Sequence, residues 1–358
     1  MESRCVYFPV LSRMDLKVNL EGQDFYLIEK YPNWLVNAIY LKDNMLEFRK
    51  LVKGKLLVDS GGLQAFMYGK KFNKNEIFER QAIFADLCFI LDQPEYDGNW
   101  EEGINNTNKN IEIAVENYGL KDKLILILHG DTIEKAKRWW DVIGRWDIDK
   151  VAIGNKNLES LNLKNSYFVY STFLLEYDER KWKYFHFLAF SLSLNLAFVS
   201  LLSKYYGDRV ETFGFDSKTP LAFAYNLTYI LEDKKYRLKD GLKKGGIYYG
   251  NDVLPCDCEA CKILNEKGWK NFLNGHNIAT LYNLLTLHNL YQIDKMARKF
   301  CNMEEKDLVK YIEDSLKNNL PNLRIFRLFV NYKRGGMSRK DYLDKLELLV
   351  KRQWGLEL

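Results

Sequence analysis

Short apolar runs alternate with longer amphipathic segments from about residue 34 to residue 216. Most runs are rich in branched and aromatic residues and end at a polar residue or a glycine, which is typical of strands that are buried on both faces. The pattern predicts eight strands: Trp34–Tyr40, Leu56–Val58, Leu87–Leu91, Leu124–Leu128, Val151–Ile153, Tyr167–Tyr170, Phe185–Phe190 and Val210–Phe215.

Amphipathic periodicity between these runs predicts helices that would connect parallel strands. The clearest of them are Asn75–Asp86, Asn110–Tyr118, Thr132–Gly144 and Leu194–Tyr206. Eight alternating units favour an α/β fold of the (β/α)₈ TIM-barrel type over an open, doubly wound sheet. Helical periodicity returns near the C-terminus, in Glu304–Asn318 and Asp341–Trp354.

The pattern changes after Asp216, and this change suggests the domain organisation. We expect an N-terminal segment at 1–33, a barrel at 34–250, a zinc-binding subdomain at 251–291 and a C-terminal helical region at 292–358. One barrel that carries a subdomain stabilised by a metal ion is the simplest arrangement, because no fixed-period repeat or Pro/Ser-rich linker interrupts the chain.

Composition and charge narrow the class of protein. The chain has 358 residues, of which 47% are apolar, so it can bury a sizeable core. A net charge of +5 permits a nucleic-acid partner without requiring one. The start of the chain, Met1–Cys5, lacks the apolar region of a signal peptide, and the apolar stretch Phe185–Leu202 is interrupted by polar residues. We therefore expect a cytoplasmic protein without a membrane partner.

Three cysteines lie within six positions, at Cys256, Cys258 and Cys261, and a histidine follows at His288. This set matches the ligands of a closed Cys₃His zinc site, in which four protein ligands leave no position for water and the ion is structural. The alternative is a cluster of buried or disulfide-bonded cysteines, although a Cys-x-Cys pair is too close to bridge easily. His276 is the rival fourth ligand. We prefer His288 because a helical run, Ala279–Asn289, would hold its ring rigidly.

Three of the predicted strands end at an aspartate: Asp59, Asp92 and Asp216. Functional residues of a TIM barrel gather at the C-terminal ends of its strands, so these carboxylates are candidates for one shared site. Each aspartate alone is explained as well by a loop cap or a turn. The first of them opens the segment Asp-Ser-Gly-Gly at Asp59–Gly62, whose glycines let backbone amides approach a ligand closely.

Together, these motifs resemble the tRNA-guanine transglycosylase superfamily, whose barrel enzymes exchange guanine for a 7-deazaguanine base in a polynucleotide. The resemblance extends from about Trp34 to Tyr291. Its most specific parts are the Asp-Ser-Gly-Gly-x-Gln segment that ends at Gln64 and the Cys-x-Cys-x-x-Cys motif with the later His288-Asn289 pair.

The resemblance implies roles for the three aspartates. Asp216, in a Phe-Asp-Ser context, would be the nucleophile that forms a covalent glycosyl–enzyme intermediate. Asp59 would be the general acid/base, and Asp92 would accept hydrogen bonds from the purine edge. Further substrate contacts are expected from Ser60, Gly61, Gly62, Gln64, His129, Gly130 and Gly154. His129 is as well explained by an ordinary buried histidine at the barrel mouth.

The sequence also departs from the family pattern. Leu63 replaces an aromatic residue that would stack on the purine, and His129 replaces a glutamine. The Gly-x-Gly-x-Pro loop common before the nucleophile strand is not recognisable around Ala189–Leu194, and residues 292–358 do not resemble the archaeal RNA-binding module. These changes favour the branch that acts on DNA, with a preQ0-like base as the second substrate.

Three functional hypotheses remain open. The first is a 7-deazaguanine DNA transglycosylase, the second a divergent tRNA-guanine transglycosylase, and the third a catalytically silent barrel that binds nucleic acid or partners through its zinc element. The basic runs Lys234–Lys244, Lys333–Gly336 and Arg339–Lys340 are candidates for phosphate contacts, although a solvated surface explains any one of them equally well. The resemblance also suggests a homodimer or accessory proteins.

Overall fold

The computed structural model describes residues 5–11, 17–20, 23–42, 45–62, 73–93, 99–154, 166–190, 193–232, 234–238, 247–248, 251–273 and 278–353. Within these ranges the strands are β1 (Cys5–Leu11), β2 (Lys17–Leu20), β3 (Gln23–Tyr26), β4 (Trp34–Asn37), β5 (Leu56–Asp59), β6 (Leu87–Phe89), β7 (Leu124–Leu128), β8 (Lys150–Ile153), β9 (Trp182–Phe187), β10 (Val210–Ser217), β11 (Thr228–Leu231), β12 (Lys234–Arg237) and β13 (Ile247–Tyr248).

The helices in the same ranges are α1 (Leu46–Lys50), α2 (Lys74–Phe84), α3 (Trp100–Glu116), α4 (Ile133–Ile143), α5 (Ser166–Tyr177), α6 (Ser193–Tyr205), α7 (Thr219–Tyr225), α8 (Glu259–Glu266), α9 (Ile278–Asn302), α10 (Glu305–Leu316), α11 (Leu320–Lys333) and α12 (Arg339–Gln353). The helices predicted around residues 75–86, 132–144 and 194–206 are confirmed as α2, α4 and α6, and 110–118 lies mostly in α3. No helix in the described ranges is both long and apolar enough to cross a membrane.

Eight parallel strands close into a barrel in the order β1-β10-β9-β8-β7-β6-β5-β4. Closure occurs where β1 pairs with both β10 and β4, as in the registers Phe8↔Asp216 and Val10↔Leu35. Every residue of β7 is buried, which explains why its sequence is a continuous apolar run without alternation. The predicted (β/α)₈ barrel is therefore confirmed, with helices around the strands.

One of the eight predicted strands is wrong. Tyr167–Tyr170 lies in helix α5, and the missing barrel strand is β1, which we had placed in the N-terminal segment before residue 34. This helix is buried from residue 168 to residue 176, and Phe168, for example, packs against Phe198 and also against Phe329. A short apolar run in a fully enclosed helix has the same composition as a buried strand, so periodicity cannot separate the two.

The last barrel strand, β10, ends at Ser217, well before the boundary predicted at residue 250. The three-stranded sheet β11-β12-β13 lies outside the barrel. Tyr229 and Leu238 from this part of the chain share a second apolar core with Cys256, Cys258 and Cys261. This second core begins at Ala224 in α7 and reaches Leu285 in α9, so the subdomain starts soon after the last barrel strand.

The C-terminal helices pack on the outside of the barrel. Helix α9 is continuous from residue 278 to residue 302, so it crosses the boundary that we expected at 291. Beyond it, Glu176 of α5 is buried and accepts hydrogen bonds from the hydroxyl groups of Tyr206 and Tyr332, each at 2.6 Å. Because Tyr332 belongs to α11, this carboxylate connects the C-terminal helices to the wall of the barrel.

Candidate functional site

The C-terminal ends of the barrel strands bring the three predicted aspartates together. Asp59 is the last residue of β5, Asp92 follows β6, and Asp216 is near the end of β10. The pKa of Asp59 is raised to about 7 by burial, by the charge of Asp92 and by the charge of Asp216. Charges have this effect only over short distances, so the three carboxyl groups share one electrostatic neighbourhood at the barrel mouth.

Asp216 is buried, and its carboxylate is held by two N–H donors. Its Oδ1 atom accepts hydrogen bonds from His186 Nε2 at 2.9 Å and from the backbone N–H of Ala189 at 3.1 Å. The backbone N–H of Phe190 donates to the carbonyl oxygen of Asp216 at 2.6 Å. Ala189 has a φ of 57°, a left-handed conformation that a residue with a Cβ seldom adopts. The turn after β9 thus accepts backbone strain and encloses Asp216.

Asp59 is hydrogen-bonded by an uncharged side chain. Asn37 pairs with Asp59 in the register of β4 and β5, and its Nδ2 atom donates to Asp59 Oδ2 at 3.0 Å. The backbone N–H of Gly61 and the charge of Lys218 act to lower the pKa of Asp59, but burial and the neighbouring carboxylates outweigh them. A carboxyl group with a pKa of about 7 can both give and accept a proton near neutral pH.

Asp92 is paired with His129. The distance between His129 Nε2 and Asp92 Oδ2 is 2.5 Å, and both side chains are nearly enclosed. The His129 ring packs edge-on against Trp139. In this arrangement His129 contacts Asp92 directly, so it orients a carboxylate that the resemblance assigns to the purine edge.

Two glycines allow the backbone to approach this pair closely. A Cβ at Gly62 would lie 3.2 Å from the carbonyl oxygen of Asp92, and a Cβ at Gly154 would lie 3.0 Å from the His129 ring. A larger residue at either position would have to displace a neighbouring atom of the site. Ser60 is buried beside Gly61, and Gly130 lies against the backbone of α4. Gln64 and Leu63 lie outside the described residues.

Three side chains of the site were missed by the sequence analysis: Asn37, Tyr184 and His186. His186 interrupts the otherwise apolar end of β9, where it is completely buried. A single polar residue inside an apolar strand was the available signal. It became meaningful only when the barrel placed β9 next to β10 and brought His186 to Asp216.

The cysteine motif forms a second cluster outside the barrel. One ligand atom from each of Cys256, Cys258, Cys261 and His288 lies within 4.8 Å of the others, and all four residues are buried. His288 Nδ1 is 3.1 Å from Cys261 Sγ and 3.4 Å from Cys258 Sγ. Tetrahedral coordination with ordinary metal–sulfur and metal–nitrogen bonds would set these separations at about 3.5 Å. The cluster can therefore hold a metal ion.

Neighbouring residues orient and polarise the ligand atoms of the cluster for metal binding. His288 Nε2 donates to the carbonyl oxygen of Ile230 at 2.6 Å, which leaves the Nδ1 lone pair directed at the cysteines. Tyr229 stacks on the imidazole with ring centroids 4.0 Å apart. Gln292 Nε2 donates to Cys256 Sγ at 3.2 Å, a contact that stabilises a thiolate. The rival ligand His276 lies outside the described residues.

We predict that replacement of His288 abolishes metal binding, whereas replacement of His276 does not. His288→Ala removes the nitrogen that completes the cluster, and an incomplete site loses most of its affinity. Metal content per chain, measured by mass spectrometry after dialysis against a chelator, should be close to one in the wild type and in His276→Ala. It should fall to near zero in His288→Ala. The opposite pattern would identify His276 as the ligand.

We predict that Asp59→Asn gains stability relative to the wild type as the pH rises. The folded protein keeps the Asp59 proton up to a pH of about 7, whereas the unfolded chain loses it near the ordinary pKa of 3.8. The wild type therefore loses stability as the pH rises between these values, by about 4 kcal/mol in total, and the loss persists above pH 7. Urea unfolding of both proteins at pH 4.5, 6 and 8 measures the difference. A difference independent of pH would mean that Asp59 is ionised throughout.

Each of the two clusters has a distinct chemical capacity. The barrel mouth combines one carboxylate fixed by N–H donors, one carboxyl group that exchanges protons near neutrality and one carboxylate oriented by a histidine. The Cys/His cluster offers a closed site for an ion. No protein-family model matches this sequence and no curated protein matches it, so the family resemblance stays a prediction that the site geometry has to support.

Proposed function

We propose that this protein is a guanine transglycosylase, a pentosyltransferase that exchanges guanine in a polynucleotide, preferably DNA, for a 7-deazaguanine base. The single observation that supports this most is the convergence of Asp59, Asp92 and Asp216 at one end of one barrel. Base exchange needs a nucleophile, a proton shuttle and a recognition group, and these three carboxyl groups differ in the ways that the three tasks require.

In the proposed reaction Asp216 attacks C1′ of the target nucleotide and forms a covalent glycosyl ester. A covalent intermediate keeps the sugar activated until the second base arrives and protects it from loss to water. Asp59, protonated at the start, gives its proton to the departing guanine. It then takes a proton from the incoming base, whose attack on C1′ releases Asp216. A pKa of about 7 suits both directions of this transfer.

Asp92 recognises the base in this scheme. An ionised carboxylate accepts hydrogen bonds from an amino group and a ring N–H, which guanine and 7-deazaguanine bases both present. His129 holds one oxygen of Asp92 and thereby fixes the direction of the other. Gly62 and Gly154 let the strand ends pack closely around Asp92 and His129, which keeps this pair in place.

We further propose that the ion in the Cys₃His cluster is Zn²⁺ and that its role is structural. Three thiolates and one imidazole are the ligands of closed zinc sites, and four protein ligands leave no position for a substrate. The cluster lies in the second apolar core, and it ties α8 and α9 to strand β11. Zinc binding would therefore stabilise the subdomain next to the barrel mouth.

The surface that runs from Asp216 along α7 and β12 supports a polynucleotide partner. Lys218 is exposed immediately after β10, and Tyr225 at the other end of α7 is 50% exposed. Tyr225 contacts Tyr282 edge-on, and the Lys235 ammonium lies 4.6 Å from the centre of the Phe223 ring. Aromatic faces beside cations suit stacked bases and phosphates of an unpaired strand.

DNA is the preferred substrate for two reasons. His129 stands where the tRNA enzymes have a glutamine, so the base pocket differs from theirs. The second reason is that residues 292–358 do not resemble the RNA-binding module of archaeal tRNA enzymes. In the described part of this region, helices α10, α11 and α12 pack around the barrel. A tRNA substrate remains the alternative, since its anticodon loop presents an unpaired base without the cost of opening a duplex.

We predict that radiolabelled guanine is incorporated into DNA and that tRNA is a poor substrate. Single-stranded or locally melted DNA should react faster than intact duplex, because removal of the base from a stacked helix costs a few kcal/mol. Parallel reactions with single-stranded DNA, duplex DNA and bulk tRNA measure this preference. Incorporation into tRNA alone would reassign the protein to the tRNA branch.

We predict that Asp216 forms a covalent adduct with the nucleic acid. Wild-type protein incubated with its substrate should give a protein–nucleic acid species that survives denaturant and gel electrophoresis. Asp216→Asn should give none, because an amide does not attack C1′. Asp147→Asn, at an aspartate whose side chain is fully exposed before β8, serves as the control and should form the adduct normally. Identical behaviour of wild type and Asp216→Asn would favour a non-catalytic barrel.

A further inference from the structure

A chain of three buried side chains leads from the barrel interior to Asp216. The Tyr184 hydroxyl is 2.8 Å from His186 Nδ1, and His186 Nε2 is 2.9 Å from Asp216 Oδ1. Tyr184 is 3% exposed and His186 is 0% exposed. The two residues lie on the same side of β9 because they are two positions apart in a strand. The family resemblance assigns no role to either of them.

Donor and acceptor chemistry gives every hydrogen bond in this chain a direction. An ionised carboxylate only accepts, so the Nε2–H of His186 donates to Asp216. A neutral imidazole then has its lone pair at Nδ1, which accepts from the Tyr184 hydroxyl. Burial lowers the pKa of His186 and raises the pKa of the Tyr184 phenol, so both groups are neutral near pH 7. All of the N–H and O–H bonds in the chain therefore point toward Asp216.

The neighbouring strand is shaped to fit this chain. Gly214 of β10 pairs with His186 in the strand register, and a Cβ at Gly214 would overlap the Tyr184 hydroxyl and lie 2.7 Å from His186 Nδ1. Phe89 packs edge-on against the imidazole, with ring centroids 5.0 Å apart. Glycine and phenylalanine thus leave a slot that holds the two rings and excludes water from their hydrogen bonds.

Both donors to the Asp216 side chain reach the same oxygen atom. His186 Nε2 and the backbone N–H of Ala189 contact Oδ1, and no donor from the described residues contacts Oδ2. Ala189 reaches Oδ1 only through its left-handed backbone conformation. The fold therefore distinguishes the two oxygens of a carboxylate that would otherwise be equivalent.

We propose that Tyr184 and His186 are positioning residues that anchor Oδ1 of Asp216, so that Oδ2 is the atom that attacks C1′ and Oδ1 becomes the carbonyl oxygen of the glycosyl ester. This proposal rests on the proposed function, because it assigns roles to the two oxygens of the nucleophile. The anchored oxygen has two donors before attack and keeps both of them in the ester.

The two donors assist both halves of the reaction. In the first half, a lone pair of Oδ2 forms the bond to C1′, the bond from C1′ to N9 of guanine breaks, and that electron pair accepts the Asp59 proton. In the second half, Asp59 takes the N–H proton of the incoming base, and that nitrogen bonds to C1′. The C1′–Oδ2 pair then returns to Asp216 as a carboxylate, whose charge the donors at Oδ1 stabilise.

A merely structural role for His186 makes a different prediction. If the imidazole only fills space and satisfies its own polar atoms, variants that stay folded should retain the rate of exchange. If it anchors Oδ1, the loss should appear in kcat and leave KM nearly unchanged, because the anchor acts on the bond changes and does not contact the base.

Three variants separate these roles in a guanine-exchange assay on the accepted polynucleotide. His186→Phe removes the donor and should lower kcat by about 100-fold to 1,000-fold, as loss of one donor to a developing charge does in other enzymes. His186→Gln can place an N–H near the Nε2 position and should recover most of this loss. Tyr184→Phe removes only the hydroxyl that fixes the imidazole tautomer, and should lower kcat by about tenfold.

Tyr170→Phe is the matched control for Tyr184→Phe. Tyr170 is a buried tyrosine in α5 whose hydroxyl has no hydrogen-bond partner among the described residues, and Asp216 is not among the charges that act on it. The same loss of an oxygen atom there should leave kcat unchanged. Thermal unfolding and metal content, measured for every variant, identify any protein that has lost its fold.

Nitrogen-15 spectra of the histidine rings test the chain without any assay of activity. The sequence contains only four histidines, so the His186 signals are assigned by their loss in His186→Gln. Between pH 6 and 8, wild-type His186 should have a protonated Nε2 and an unprotonated, hydrogen-bonded Nδ1. In Tyr184→Phe the Nδ1 signal should move to the position of a nitrogen without a strong donor.

The outcomes of the two experiments are distinguishable. A protonated Nδ1 in the wild type, or a kcat that His186→Phe leaves unchanged in a folded protein, would overturn the positioning role while leaving the transglycosylase in place. Absence of exchange on every polynucleotide, combined with the expected tautomer, would overturn the proposed function. The expected tautomer and the kcat losses together would support both.

Discussion

The site depends on the electrostatic cost of placing three carboxyl groups at one nearly dry end of a barrel. Like charges that are close and shielded from water cannot all remain ionised without compensation, so at least one carboxyl group has to hold its proton near neutral pH. Asp59 is that group, because burial and the two neighbouring charges raise its pKa to about 7. The hydrogen bonds that Asp216 accepts from His186 and Ala189, and the contact of His129 with Asp92, offset part of this repulsion.

In the Cys/His cluster beside the barrel, the energetic cost is the burial of polar atoms. The subdomain is small, and its core contains polar sulfur and imidazole atoms that would be costly to bury without partners. An ion that binds all four ligand atoms would convert that cost into stability. Asn289, next to His288, hydrogen-bonds to the backbone of Ile230 and Thr228. Helix α9 therefore holds both the cluster and strand β11.

Much of this arrangement could be predicted from the sequence, and the failures have physical causes. Apolar runs that end at Asp59 and Asp216 and alternate with amphipathic segments predicted the barrel, because buried parallel strands joined by helices have this pattern. Strand β1 was missed because Pro9 weakens the strand pattern, yet Pro9 lies near the strand end, where one lost N–H is tolerated. The role of His186 could not be predicted, since it depends on the register of two strands about 30 residues apart.

The partners of the three carboxyl groups explain how one crowded site can assign three tasks. Asp216 and Asp92 each have a histidine partner, His186 and His129, whereas the described partners of Asp59 are the neutral amide of Asn37 and the backbone N–H of Gly61. Each histidine contact stabilises the carboxylate that it touches, whereas the charges of Asp92 and Asp216 destabilise an ionised Asp59. The mobile proton therefore belongs on Asp59, and Asp216 and Asp92 are left for the attack on C1′ and the base recognition that we propose. Side chains of one type can therefore differ in their roles: the different surroundings of Asp59 and Asp216 suit one to be the acid and the other to be the proposed nucleophile.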